Sequence, residues 1–261
     1  MITLKTSREI ALMEEGGQVL GRILEELLNL AQPGVKLTEI ETRAEELIQQ
    51  KGGTPSFKTV EGYNWATCLC VNQMVVHGIP TEYPLKEGDL LTVDIGMLYR
   101  GWHTDTAWTK IIRCQASDAG HQADDEKEQF LKIGEEALQK AVSSSQVGNR
   151  VGQISSVIQS TVESAGYQIV KSLVGHGIGN KLHEPPQIPG FLKGRLEDTP
   201  LVEPGMTLAI EVIYAMGSGA IIYENDDGWT LSTRDRSLAA VFEHTIAATS
   251  SGPVVLTKPR I

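Results

Sequence analysis

Two hydrophobic periodicities alternate along the chain, and their order predicts an α+β fold. From Thr6 to about Leu30 the apolar residues recur at helical spacing. Thr6-Ser-Arg-Glu9 reads as a capping box that opens this helix, and Pro33-Gly34 breaks it. Thr38-Glu-Ile-Glu41 reads as a second capping box, for a helix ending near Gly52-Gly53. Strand-like runs follow around 66–71, 89–97 and 106–113. Residues 115–128 are polar and acidic and read as a surface loop. Helices are expected over about 125–145 and 150–165, and strands near 168–174, 206–214, 219–223 and 239–248.

The second half of this pattern repeats the first. Gly34 begins GVKLTEIETRAEELIQQKGG, and Gly148 begins GNRVGQISSVIQSTVESAG. LKEGDLLTVD ends at Asp94, and VEPGMTLAIE ends at Glu211; each carboxylate lies six residues beyond a glycine, Gly88 or Gly205. Each half also holds a His-Gly turn, HGIP at His77 and HGIG at His176. The period is too long for a solenoid. It predicts two related α+β halves, approximately 34–113 and 148–250, packed about a pseudo-two-fold axis with a site between them.

The carboxylates change the picture most. Asp94 lies in LLTVDIG, Glu211 in LAIEVIY and Glu243 in AAVFEHTIAA, all strands that should be buried. A buried carboxylate is costly unless it is paired or bound to a cation. Asp105 follows Asp94 by 11 residues. On a hairpin turning at Leu98–Gly101, that spacing can bring both side chains to one face. Four such carboxylates would repel one another and raise their own pKa values unless cations neutralise them. With one imidazole they could hold two divalent ions about 3.5–4 Å apart. Such an oxygen-rich set favours Mn, Fe(II) or Co(II), with Zn also compatible. A surface cluster of acids is the competing reading. His103, His121 and His244 read as structural, His244 because it follows Glu243 on a strand and must point the other way.

Composition narrows the class. A net charge of −10 and no block of Lys or Arg argue against nucleic-acid binding. Residues 1–10 lack the apolar stretch of a signal peptide, and no apolar run reaches transmembrane length. Cys68, Cys70 and Cys114 fit a reducing cytoplasm. GHGIGN fails the dinucleotide fingerprint at Asn180, and there is no G-x-S-x-G, Walker A or C-x-x-C motif.

CLCVNQMVVHGIP, VDIG followed eight residues later by TDTAWT, GHGIGNKLHEPP, AIEV and DDGWTLSTRDRSLAAVFEHTI together resemble the type I methionine aminopeptidases, from about Thr6 to Pro253. The resemblance implies one catalytic domain over 1–261 with the two-fold "pita-bread" α+β fold. It implies removal of the initiator methionine from nascent polypeptides whose second residue is small. Asp94, Asp105, His176, Glu211 and Glu243 match the ligands of two divalent ions, Asp105 and Glu243 bridging. Glu211 also matches the proton shuttle. His77 and His183 match the catalytic histidines that hydrogen-bond the scissile amide and the oxyanion. Tyr63, Cys68 and Trp229 match the wall of the methionine pocket. The implied setting is a cytoplasmic monomer acting on nascent N-termini, with the ribosome near its exit tunnel as a further contact and no membrane or nucleic-acid partner. Val212, Leu182, Asn64-Trp65, Gln73 and Cys70 depart from the common family pattern. Two alternatives are a Xaa-Pro aminopeptidase or dipeptidase, which shares fold and ligands, and a catalytically silent pita-bread binding protein. The first usually carries a large N-terminal domain, and the second usually loses ligands.

Overall fold

Thr6 caps the first helix as its sequence predicts. In the computed structural model, which describes residues 2–113 and 122–258 (backbone alone for 122–124), Thr6 Oγ1 accepts the Glu9 N–H at 3.3 Å. The Glu9 carboxylate accepts the Thr6 N–H at 2.7 Å. Helix α1 (Ser7–Leu30) follows, then α2 (Leu37–Gln50). The start of α2 differs from expectation. Lys36 is its N-cap, and Glu39 closes back on the Lys36 N–H at 2.9 Å. Glu41 is no cap: it is buried and accepts the N–H groups of Ala66 and Thr67 and the Thr67 hydroxyl, at 2.6–3.0 Å. This carboxylate fastens α2 to the strand that begins at Thr67.

Strands β1 (Thr54–Pro55), β2 (Thr67–Val71), β3 (Met74–Val76), β4 (Leu90–Tyr99) and β5 (Trp102–Ile111) complete the first half. Helices α3 (Gln122–Ser144) and α4 (Val151–Ser164) come next. Then come β6 (Gln168–Ile169), β7 (Val174–Gly177), β8 (Glu184–Pro189), β9 (Thr207–Ala215), β10 (Ile221–Tyr223), β11 (Leu231–Thr233), β12 (Ala239–Thr249) and β13 (Gly252–Val255). Two expectations change here. The helix expected from about 125 starts at Gln122, taking in the end of the stretch read as loop, and the strand expected over 168–174 is two short strands, β6 and β7. The rest of the expected loop, with Cys114 and His121, lies outside the described residues.

Among the described residues one antiparallel sheet runs β1-β4-β5-β12-β9-β7-β8, with β2 on β4, β6 on β9 and β13 on β12. Its centre is the β5·β12 pair, and what lies on either side matches. Thr54 of β1 faces Leu98, and Gln168 of β6 faces Ala215, each partner four residues beyond Asp94 or Glu211. Helix α1 packs on β4 and β5, and α3 packs on β9 and β12. Gly34 and Gly148, which open the repeat, both have φ of +91°.

Strand alternation divides the sheet into two faces. Leu91, Val93, Ile95 and Met97 of β4 are buried with the apolar stripes of α1 and α2. Leu208, Ile210, Val212 and Tyr214 of β9 are buried with those of α3 and α4. The alternate residues, Asp94 and Glu211 among them, therefore face the opposite side. On that side stands the small sheet β10-β11-β3, whose Val75, Val76 and Leu231 pack with Ala107 and Ile213.

Candidate metal centre and substrate cavity

The acids converge because of register. Asp94 faces Ala107 on β5, Ala107 faces Glu243 on β12, and Glu243 faces Glu211 on β9. These four positions form one row across four strands. Asp105 lies two residues from Ala107, and His176 of β7 faces Ala209, two residues from Glu211. All five side chains therefore emerge on one face. The hairpin beneath Asp94 and Asp105 turns tightly at Arg100-Gly101, both with positive φ, as a two-residue loop requires. Asp105 is held on the central pair by Thr245, whose Oγ1 accepts the Asp105 N–H at 2.9 Å and donates to the Asp105 carbonyl at 2.8 Å.

Asp105, His176 and Glu243 are buried, and each offers a ligand atom within 4.8 Å of the others. His176 Nε2 lies 3.4 Å from Glu211 Oε1. Asp94 Oδ1 and Glu243 Oε1 are buried with no hydrogen-bond partner in the protein. Burial raises the Asp94 carboxyl to about 7. Burial first, then neighbouring carboxylates, pushes Asp105, Glu211 and Glu243 well above the usual range. A cluster of this kind is stable as anions only with cations among them. The His176 ring fits the same use: Nδ1 lies 2.8 Å from the Gly177 carbonyl, which places the proton there and leaves Nε2 as a free donor pair. Burial holds this imidazole down at about 4, so it is neutral at pH 7. The orphaned oxygens, the donor set and the tautomer all fit a divalent-metal site.

The acids floor a cavity of about 180 Å³. Its walls are Phe57, Val60, Tyr63, Cys68, Val76, Leu182 and Trp229, with His77 and His183 also lining it. Every residue expected at the site from the sequence lines this one space; Phe57, Val60 and Val76 are additions. Tyr63 is the hub of the aromatic wall, with edge contacts to Phe57, Trp65 and Trp229 at centroid distances of 6.3, 5.4 and 5.2 Å. Its hydroxyl donates to the Thr67 carbonyl at 2.8 Å and lies 3.2 Å from Cys68 Sγ. Burial pushes the Cys68 thiol well up, so it is a neutral wall group and a poor nucleophile.

The small sheet positions the far wall. Leu231 of β11 faces Val76 of β3, which brings Trp229 and His77, just beyond each strand end, to within 6.3 Å. Asp227 Oδ1 accepts the N–H groups of Trp229 and Thr230 at 2.7 and 2.8 Å, fixing that turn. His183 meets His176 edge to face at 4.4 Å. Partial desolvation keeps both His77 and His183 below the usual imidazole range, so both are neutral near pH 7. The other two described histidines have structural bonds: His103 with Ser56 Oγ at 2.8 Å, and His244, facing away from the cavity, with Thr257 Oγ1 at 3.0 Å.

Residues 11–250 match the model of metallopeptidase family M24. A methionine aminopeptidase of Clostridium perfringens is 40% identical over 257 residues, covering 98% of this chain and 99% of its own length. The crystal structure of a methionine aminopeptidase from Thermotoga maritima superposes with a TM-score of 0.91 at 37% identity, covering 99% of this chain and all of that one. A prolidase of Pyrococcus horikoshii shares the fold alone, with a TM-score of 0.76 at 22% identity, and only 64% of it is covered. The α+β pita-bread architecture is common to both structures, and the Xaa-Pro alternative is not favoured. By the family match and by identity over nearly its whole length, the chain belongs to the methionine aminopeptidases of metallopeptidase family M24.

Proposed function

We propose that this chain removes the N-terminal methionine from nascent polypeptides whose second residue is small, as a single catalytic domain. One observation carries the reading: Asp94, Asp105, His176, Glu211 and Glu243, with His77, His183 and an apolar wall, line one cavity of about 180 Å³. That is smaller than the roughly 300–1,000 Å³ of an ordinary ligand pocket, and it suits one side chain rather than an extended ligand.

In this proposal Asp94, Asp105, His176, Glu211 and Glu243 would hold two divalent ions. Mn, Fe(II) and Co(II) suit the set best, and Zn is compatible. Bound there, the ions would supply Lewis-acid polarisation of the scissile carbonyl and a water acidic enough to attack near neutral pH. Glu211, on the cavity floor, is placed to accept a proton from the attacking water and to return it to the leaving amine. His183 and His77, neutral and at the cavity wall, donate hydrogen bonds to the substrate amide and to the oxygen on which charge develops. Tyr63, Cys68 and Trp229 surround the thioether, a soft group that favours aromatic and sulfur contacts. The setting that goes with this reading is a cytoplasmic monomer working near the ribosomal exit. Among the described residues no helix is long and apolar enough to cross a membrane.

Protein stripped with a chelator is expected to be inactive on Met-Ala-Ser and to regain activity when Mn, Fe(II) or Co(II) is returned singly. Full activity in the metal-free protein would overturn the metal-dependent mechanism. A second expectation separates the histidines from the ligands. His183→Ala should keep the metal content of the parent and lose about 10²-fold or more in kcat, the scale of removing an oxyanion donor. Elemental analysis beside steady-state kinetics reads both. Metal loss in that variant would make His183 a ligand instead.

A further inference from the structure

Ahead of α1 the chain buries a lysine. The Lys5 side chain is 2% exposed and Glu184 is 8% exposed, and Lys5 Nζ donates to Glu184 Oε2 at 2.6 Å. Lys5 Nζ also donates to the Thr3 carbonyl at 3.3 Å, and the Lys5 N–H donates to the Gly205 carbonyl at 2.7 Å. The opposing loop is shaped around this side chain. A Cβ on Gly179 would stand 2.3 Å from Lys5 Cε, so no larger residue could let the loop approach the lysine so closely. Glu184 also closes the loop, because its Oε1 accepts the Lys181 N–H at 3.0 Å. At the other end the Gly179 carbonyl accepts the His103 N–H at 2.8 Å. His183 sits between Lys181 and Glu184, inside the segment that this carboxylate ties.

We propose that Lys5 is a positioning residue: through Glu184 it clamps the 179–184 loop so that the His183 ring is held against the metal centre. The inference rests on the role proposed for His183. A buried ion pair is a poor source of net stability, since an apolar pair of like volume does as well or better. What it supplies is geometry: a lysine whose backbone and ammonium are both fixed sets the place of the one carboxylate it meets. The N-terminal segment is then a strap across the edge of the catalytic site. The metal ligands stand on β4, β5, β7, β9 and β12, outside the clamped loop, so losing the strap displaces the histidine and leaves the ions in place.

The test is a double-mutant cycle on the metal-loaded full chain with Met-Ala-Ser. Lys5→Met is expected to lower kcat about tenfold or more, the order of effect of a sub-ångström to one-ångström misplacement, with metal content unchanged and KM within about twofold. In a His183→Ala background the same substitution should have no further effect on kcat, because the group it positions is gone. An equal loss of kcat in both backgrounds, or a lowered melting temperature with normal kcat, would overturn the strap. A normal kcat in His183→Ala alone would instead overturn the histidine's role, so the two failures are distinct. If Lys5→Met does not fold, Lys5→Met with Glu184→Gln removes both charges together, and the same cycle is read on that pair.

Discussion

Replacing Asp105 with alanine is expected to strip the metal and reduce turnover of Met-Ala-Ser by at least about 10³-fold, the scale of losing metal catalysis outright. Asp105 stands on the central strand pair beside the acid row, offers its oxygen within 4.8 Å of donor atoms on His176 and Glu243, and is only 4% exposed. Asp94→Ala should act in the same direction, since Asp94 holds an oxygen that no protein group satisfies. The effect on stability should have the opposite sign in metal-free protein. Without cations, clustered carboxylates on one face repel, and removing one relieves that repulsion. Under chelator, the melting temperature of Asp105→Ala should therefore equal or exceed that of the parent. With metal present, the parent should be the more stable, because ligand binding to the native state adds to it. Near-normal activity in both aspartate variants, or an apo variant far less stable than the apo parent, would contradict the site as described.

Much of this site was legible because its residues violate their local pattern. An acid inside LLTVDIG or AAVFEHTIAA has no reason to be there unless something binds it. Strand alternation then fixes which face it takes, and the matched Gly-to-carboxylate spacing gives the partner half. The aromatic wall was legible only through the family resemblance, and Phe57, Val60 and Val76 were missed altogether. They reach the cavity through a short turn and through the β3·β11 pairing, which joins residues some 155 positions apart. No periodicity in a window of a dozen residues reports such a contact. Glu41 was misread for a related reason: its spacing from Thr38 imitates a cap, while its real partners lie on β2. The helix ahead of Phe130 was placed to start late, with its first residues read as loop, because, among the side chains described there, those ahead of the buried Phe130 face water wholly or in part.

Substrate choice should follow the walls, with Met-Ala-Ser cleaved fast and Met-Ile-Ser, Lys-Ala-Ser and Ala-Pro-Ser cleaved slowly under one metal condition. Each comparison isolates one physical cause. Lys-Ala-Ser would place an ammonium against Tyr63, Phe57, Leu182 and Trp229, where the neutral Tyr63 hydroxyl is already committed to Thr67. Desolvating that charge without a partner costs several kcal/mol. Ala-Pro-Ser leaves the apolar cavity unfilled and forgoes about 2–3 kcal/mol of side-chain burial, which is about 30- to 150-fold in kcat/KM. Met-Ile-Ser keeps the methionine and tests the space past the scissile bond, where His77 and His183 must approach the amide. A branched residue there displaces the bond from both histidines, and a misplacement of about 1 Å costs on the order of 10²-fold. Measured kcat/KM for the four peptides, with metal content held constant, decides between readings. Fastest cleavage of Ala-Pro-Ser would move the activity to Xaa-Pro bonds. Comparable rates on Met-Ala-Ser and Met-Ile-Ser would remove the claim of a small second residue. No cleavage of any peptide by metal-loaded protein would leave a fold that binds N-termini without cutting them.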